Sequence, residues 1–150
     1  MEEYGKVENI IDFAINEEIS ANKFYLGLAA KMTNPVMRKV FEDYAAEELG
    51  HKAKLEDIKK GKAIETGGKI IDLKISDFAV DAEPSDDMDY QDALILAMKK
   101  EKAAFKLYSA LAELEENEDR KKIFLKLAQE EAKHKMQFEI EYDDEILKKN

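Results

Sequence analysis

The feature that most constrains this chain is a short motif used twice. Ala45-Ala46-Glu47-Glu48-Leu49-Gly50-His51 returns downstream as Ala128-Gln129-Glu130-Glu131-Ala132-Lys133-His134. The chain has only two histidines, and each stands three residues after a glutamate. On a helix, residues three apart share one face about a turn apart. Glu48 and His51 can therefore aim an oxygen and a nitrogen at one point, and so can Glu131 and His134. Carboxylate plus imidazole is a donor set suited to a transition metal.

The twin motifs belong to a longer repeat. An offset of 83 residues links His51 to His134, Glu48 to Glu131, Glu18 to Glu101, Tyr25 to Tyr108, Asn34 to Asn117 and Phe41 to Phe124. Ile10–Ile58 laid on Ala93–Glu141 gives 16 identities in 49 pairs. About three or four would arise by chance at ordinary composition. The chain therefore reads as one helical hairpin used twice.

Helical periodicity places the elements. A first helix is expected over 7–31, with Ile11, Ala14, Glu18, Tyr25 and Ala29 along one stripe. Glu17 is rotated off that stripe by about 100°. Asn34 and Pro35 supply a cap and a preorganised first turn for a second helix over 35–60, which Gly61 ends. Met37, Phe41, Tyr44, Glu48, His51 and Leu55 lie on one side of it. A third helix is expected over 89–116, capped by Asp87 or Asp89, with Leu94, Ala97, Glu101, Phe105, Tyr108 and Ala112 inward. Asn117 opens a fourth, over 118–148, carrying Phe124, Leu127, Glu131, His134 and Phe138.

Residues 61–88 form one long crossover. Ile71, Leu73 and Ile75 alternate there as a short extended piece, and 81–89 is acidic around Pro84. A helix of about 25 residues is about 37 Å long, and a connection of this size can run that distance. The expected fold is all-α, a four-helix bundle of two antiparallel hairpins in a single domain, 1–150. Glu18 and Glu48 each lie fifteen residues from the bend at Thr33, and Glu101 and Glu131 repeat this about Glu116. All four carboxylates thus reach one level, with His51 and His134 about 4.5 Å further along.

Burying four carboxylates at one level is costly, and their repulsion raises pKa values. No Lys or Arg falls on the same stripes. Two divalent cations would balance the charge, with one imidazole for each. Oxygen-rich ligation favours paired iron or manganese over a tetrahedral zinc site. Taken singly, Glu18 or Glu101 reads as a solvated helix edge. The two Glu-x-x-His pairs at the repeat offset outweigh that reading. Glu47 and Glu130 also repeat but fall off the stripe, so they are expected to be exposed or to stand outside the ligands. Lys59-Lys60 and Lys99-Lys100 read as solvated faces.

This combination resembles the rubrerythrin-type branch of the ferritin-like di-iron carboxylate family. Glu18, seven residues before Tyr25, resembles the family's first-helix motif, and Glu101 before Tyr108 resembles the third. Glu48/His51 and Glu131/His134 resemble the second and fourth. The family pattern is a Glu from each of two helices and Glu-x-x-His from each of the other two. The resemblance spans about Ile10 to Tyr142 and leaves the crossover unmatched. It implies two iron ions, or manganese or a mixed pair, that meet hydrogen peroxide or O2. It also implies that Tyr25 and Tyr108 orient ligands from outside. At one position the chain departs from the pattern. The family's additional glutamate, one turn after the third-helix ligand, is replaced by Ala104.

Composition bounds the rest. With no cysteine there is no disulfide and no rubredoxin-like iron domain, so electrons would come from a separate donor protein. A net charge of −10 argues against a nucleic-acid surface. No apolar run reaches the roughly 18 residues of a membrane span, and Met1-Glu2-Glu3-Tyr4 is unlike a signal peptide, so a cytoplasmic location is expected. A homodimer is also expected. Phe13, Phe24, Leu26 and Leu28, off the ligand stripe, are candidates for its contact or for crossover packing. Two other readings compete with an enzyme: a divalent-metal storage or buffering protein, and a structural helical adaptor.

Overall fold

Apolar residues at helical spacing, cut by Asn-Pro and Asn-Glu breaks, produce four long helices. The computed structural model describes residues 7–61, 77–80 and 88–149. They form α1 (Val7–Lys31), α2 (Pro35–Lys60), α3 (Tyr90–Leu114) and α4 (Glu118–Lys149). The α2 cap is local chemistry: Asn34 Oδ1 accepts from Val36 N at 2.8 Å and Met37 N at 3.4 Å, with Pro35 at the first helical position. Asp89, rather than Asp87, caps α3 by accepting from Asp92 N at 2.8 Å. Asn117 does the same for Arg120 N at 3.0 Å, opening α4. Gly61 ends α2, but at φ −81°, so no left-handed turn is involved.

The helices pair as two hairpins, α1 with α2 and α3 with α4, which then meet along α1·α3 and α2·α4. Two apolar clusters fill the bundle on either side of a polar layer. One joins the start of α1, the end of α2, the end of α3 and the start of α4, around Ile10, Leu55, Leu111 and Phe124. The other joins the opposite ends, around Tyr25, Phe41, Leu94 and Phe138. Phe41 and Phe138 stack across it with centroids 6.0 Å apart. Each such buried side chain contributes roughly 1.5–3 kcal/mol by leaving water. The end of α2 lies in the first cluster and the start of α3 in the second, so the connection joins opposite ends. The alternating Ile71, Leu73 and Ile75, with Pro84, lie outside the described residues. Phe78, from the connection, is buried in the first cluster.

Three expectations are corrected. Phe105 is 43% exposed rather than inward. At about 100° per residue the buried arc of α3 runs from Leu96 and Leu107 through Ala93 and Leu111 to Glu101 and Ala112. Phe105 lies just past its edge. Phe24 and Leu28 are buried in the second cluster and offer no surface for a dimer, whereas Leu26 is exposed. Phe13 packs with the cluster that holds Phe78, as crossover packing requires. Lys100 is half-buried with its Nζ 5.8 Å from the Phe24 ring centre, not on a fully solvated face.

Candidate metal centre

The layer between the two apolar clusters holds the six residues singled out by spacing. Glu18, Glu48, His51, Glu101, Glu131 and His134 are all buried, at 1–3% exposure. Their donor atoms fall into two groups. Glu18, Glu48, His51 and Glu131 form one; Glu48, Glu101, Glu131 and His134 form the other. Within each, the donor atoms lie within 4.8 Å of one another. Glu48 and Glu131 belong to both, as two carboxylates between a pair of cations would. The repeat offset turns one group into the other, so the pair has an internal two-fold relation.

Both imidazoles present Nδ1 to this centre. His51 Nδ1 is 3.1 Å from Glu18 Oε2 and 3.3 Å from both Glu48 Oε1 and Glu131 Oε1. His134 Nδ1 is 3.3 Å from Glu101 Oε2 and 3.6 Å from Glu48 Oε1 and Glu131 Oε1. Nε2 faces outward in each, toward a carboxylate from the opposite helix. Glu130 Oε2 lies 3.6 Å from His51 Nε2, and Glu47 Oε2 lies 3.4 Å from His134 Nε2. A cation on Nδ1 would leave the proton on Nε2, facing a carboxylate that favours the charged ring. Glu47 and Glu130 thus stand outside the six, as expected from their rotation.

Tyr25 and Tyr108 tie the two hairpins together. The Tyr25 hydroxyl donates to Glu101 Oε1 at 2.5 Å, and the Tyr108 hydroxyl donates to Glu18 Oε2 at 2.7 Å. Each tyrosine follows its own helix's glutamate by seven residues and bonds the other helix's, which requires α1 and α3 to be antiparallel. Burial, then nearby carboxylates, pushes both hydroxyls well above their usual range, so they remain donors.

The electrostatics of the layer are those of crowded, buried acids. Burial foremost, then neighbouring carboxylates, raises Glu48 and Glu131 well above the usual carboxylate range. Burial likewise raises Glu101, against the pull of His134 and Tyr25. Burial works to lower His51, but its contacts with the Glu18 and Glu48 carboxylates overcome it and raise it to about 10. His134 is raised too, with contact to Glu101 and Glu47 overcoming burial. Glu48 Oε1, Glu101 Oε2, Glu131 Oε1 and His134 Nδ1 are buried without a hydrogen-bond partner. Buried polar atoms are rarely left so. Acceptors that converge, lack partners and repel one another fit two divalent cations.

The comparisons with known proteins agree. The rubrerythrin family profile matches residues 9–142. The chain belongs to the rubrerythrin family. A hypothetical protein from Pyrococcus furiosus, 28% identical, shares the fold with a TM-score of 0.71, over 92% of this chain and 89% of its own. A protein from Thermotoga maritima described as a ferritin-like diiron-carboxylate protein has a TM-score of 0.80, covering 95% and 98% of the two chains at 20% identity. The likeness to that protein is one of fold. No curated protein matches the chain. For a rubrerythrin-family chain, the four-helix bundle and the repeated Glu-x-x-His pairs are the features the periodicity predicts.

Two contributors escaped the spacing argument. Tyr44 lies on the predicted inward stripe of α2, but only the structure shows its ring stacked on His134, with centroids 4.1 Å apart. Position 127, its repeat partner, is Leu127, so the two halves differ there. Phe78 comes from the unmatched crossover, where no periodicity could place it beside the cavity that Glu18 and Glu101 also line.

Proposed function

We propose that this protein is a di-iron oxidoreductase that reduces hydrogen peroxide or O2 with electrons from a separate protein. The observation that carries this reading is the pair of four-residue groups sharing Glu48 and Glu131. Glu18 and Glu101 would each serve one iron, His51 and His134 would each add a nitrogen, and Glu48 and Glu131 would span the pair. Four carboxylates and two divalent ions are neutral together, which relieves the repulsion within the buried layer. Iron bound there supplies two electrons to the oxidant: hydrogen peroxide, two electrons and two protons give two waters.

The protein's own groups prepare that reaction. The Tyr25 and Tyr108 hydroxyls hold Glu101 and Glu18 in place. Glu47 and Glu130 place a carboxylate 3.4 and 3.6 Å from the outer nitrogens of His134 and His51. The apolar clusters above and below the layer close its two ends. With no cysteine in the chain, resupply of electrons requires an external donor. The test is anaerobic: protein loaded with Fe(II) is titrated with hydrogen peroxide. Consumption of one peroxide per two Fe(II) oxidised supports the reading, and no consumption by a fully loaded sample overturns it.

Ala104 favours a second reading, in which the chain binds iron or another divalent metal for storage or buffering. An alanine there supplies no extra carboxylate to exchange between metals. Solution size separates the two readings, because a 12-mer or 24-mer cage favours storage.

A further inference from the structure

The buried carboxylates have two faces. On the α2·α4 face the imidazoles of His51 and His134 block the approach, with Glu130 and Glu47 beyond them. The α1·α3 face is different. A cavity there reaches Glu18, Glu48, Glu101 and Glu131, and its lining includes Phe13, Ala21, Phe78, Ala104, Leu107 and Tyr108. It measures about 20 Å³, enough for a small molecule, since a cavity can hold a water from about 10–15 Å³ upward.

Two residues matter most to its boundary. Ala104 leaves open the volume that a longer side chain would fill. Phe78, brought from the α2–α3 connection and 5% exposed, walls the same cavity. Glu17 and Lys100, equivalent across the repeat but opposite in charge, also line the cavity. Together they leave no net charge on the approach, which suits a neutral visitor.

We propose that the oxidant reaches the carboxylates through this α1·α3 cavity, and that Phe78 and Ala104 set its size. A molecule of two oxygen atoms is admitted, and organic hydroperoxides are excluded. This rests on the redox reading above and adds the class of oxidant and the residues that select it. The apolar wall favours a small neutral molecule, and the four glutamates that also line the cavity mark where that molecule meets the centre. Phe78 is a specificity-determining residue here and takes no part in bond making.

Two measurements test it. Crystals of the metal-free wild type under krypton pressure should show a krypton peak beside Ala104, which Ala104→Leu should abolish. Fe(II)-loaded wild type should consume hydrogen peroxide far faster than cumene hydroperoxide, with reaction under O2 measured alongside to separate the two small oxidants. Phe78→Ala should narrow the hydroperoxide ratio by about tenfold or more, the scale on which pockets discriminate by size. Phe78→Leu should restore most of it. Ala104→Leu should slow both small oxidants while binding the same number of metal ions, and it decides the matter if Phe78→Ala does not fold. No krypton in the wild type, or an unchanged ratio in Phe78→Ala, overturns the inference alone. A loaded wild type inert to every oxidant overturns the redox reading and this inference with it.

Discussion

Replacing Glu48 with glutamine should move the metal-free and metal-loaded proteins in opposite directions. Glu48 is 1% exposed, its Oε1 has no partner, and burial and then Glu131, Glu18 and Glu101 raise its pKa. At neutral pH the metal-free fold must keep a proton there or bear a buried charge. Glutamine has the same shape and needs neither. Relieving an unsatisfied buried group is worth about 1–3 kcal/mol. For a chain of this size that is a rise in Tm of roughly 3–9 °C. With metal the sign reverses. Free metal at about 1,000 times Kd stabilises by roughly 4 kcal/mol per ion, or roughly 12 °C. Glu48 belongs to both four-residue groups, so its loss weakens both ions. A weakening of about 100-fold removes roughly 2.7 kcal/mol per ion, more than glutamine restores. The assay is thermal melting with a chelator and with Mn(II), at one pH. A metal-free Tm that falls, or a metal-induced rise equal to the wild type's, would refute the reasoning.

Other perturbations follow from the same layer. Tyr25→Phe and Tyr108→Phe each delete one buried hydrogen bond to a carboxylate and should lower metal affinity by roughly 10–100-fold, measured by competitive titration. The repeat predicts similar losses for the two. In the metal-free protein Glu48, Glu101, Glu131, His51 and His134 all bind protons more tightly folded than unfolded. Their contribution to stability is therefore fully present below the unfolded pKa values and is lost as pH rises, for His51 between about 6.5 and about 10. Chelated protein should melt higher at pH 6 than at pH 9, while metal affinity should rise with pH as protons leave. Arg120→Ala should cost about 3–5 kcal/mol in denaturant unfolding, because Glu115 is fully buried and Arg120 Nε pairs with it at 3.2 Å. Arg38→Ala, at an exposed bond to Met32 O, should stay within about 0.5 kcal/mol.

The sequence was most legible where two periods coincided. Helical spacing located Glu18, Glu48, Glu101 and Glu131 on inward stripes, and the 83-residue repeat put them at one level. Both follow from backbone geometry alone, and the structure brings these residues together with His51 and His134. Phe105 was misplaced because a stripe read at single-residue resolution has no sharp edge; its angle from Glu101 is small, but the buried arc extends the other way. Phe24 and Leu28, candidates for a dimer contact or for crossover packing, are buried in the second cluster because a bundle helix has two neighbours and so buries more than one stripe. Phe78 and the Glu115–Arg120 pair were not legible. The first depends on the path of the crossover, and the second on a turn at the end of α3, and neither has a repeating pattern. Tyr44 was placed inward correctly, yet its stacking on His134 depends on the distance between α2 and α4.

The central claim is that this layer exists to hold two metal ions. Elemental analysis of protein purified without added iron, then saturated anaerobically with Fe(II) and desalted, tests it most directly. Two ions per chain are predicted, falling below one in a still-helical His51→Ala/His134→Ala variant. A wild type that retains no metal, or a content indifferent to loss of both histidines, would contradict it.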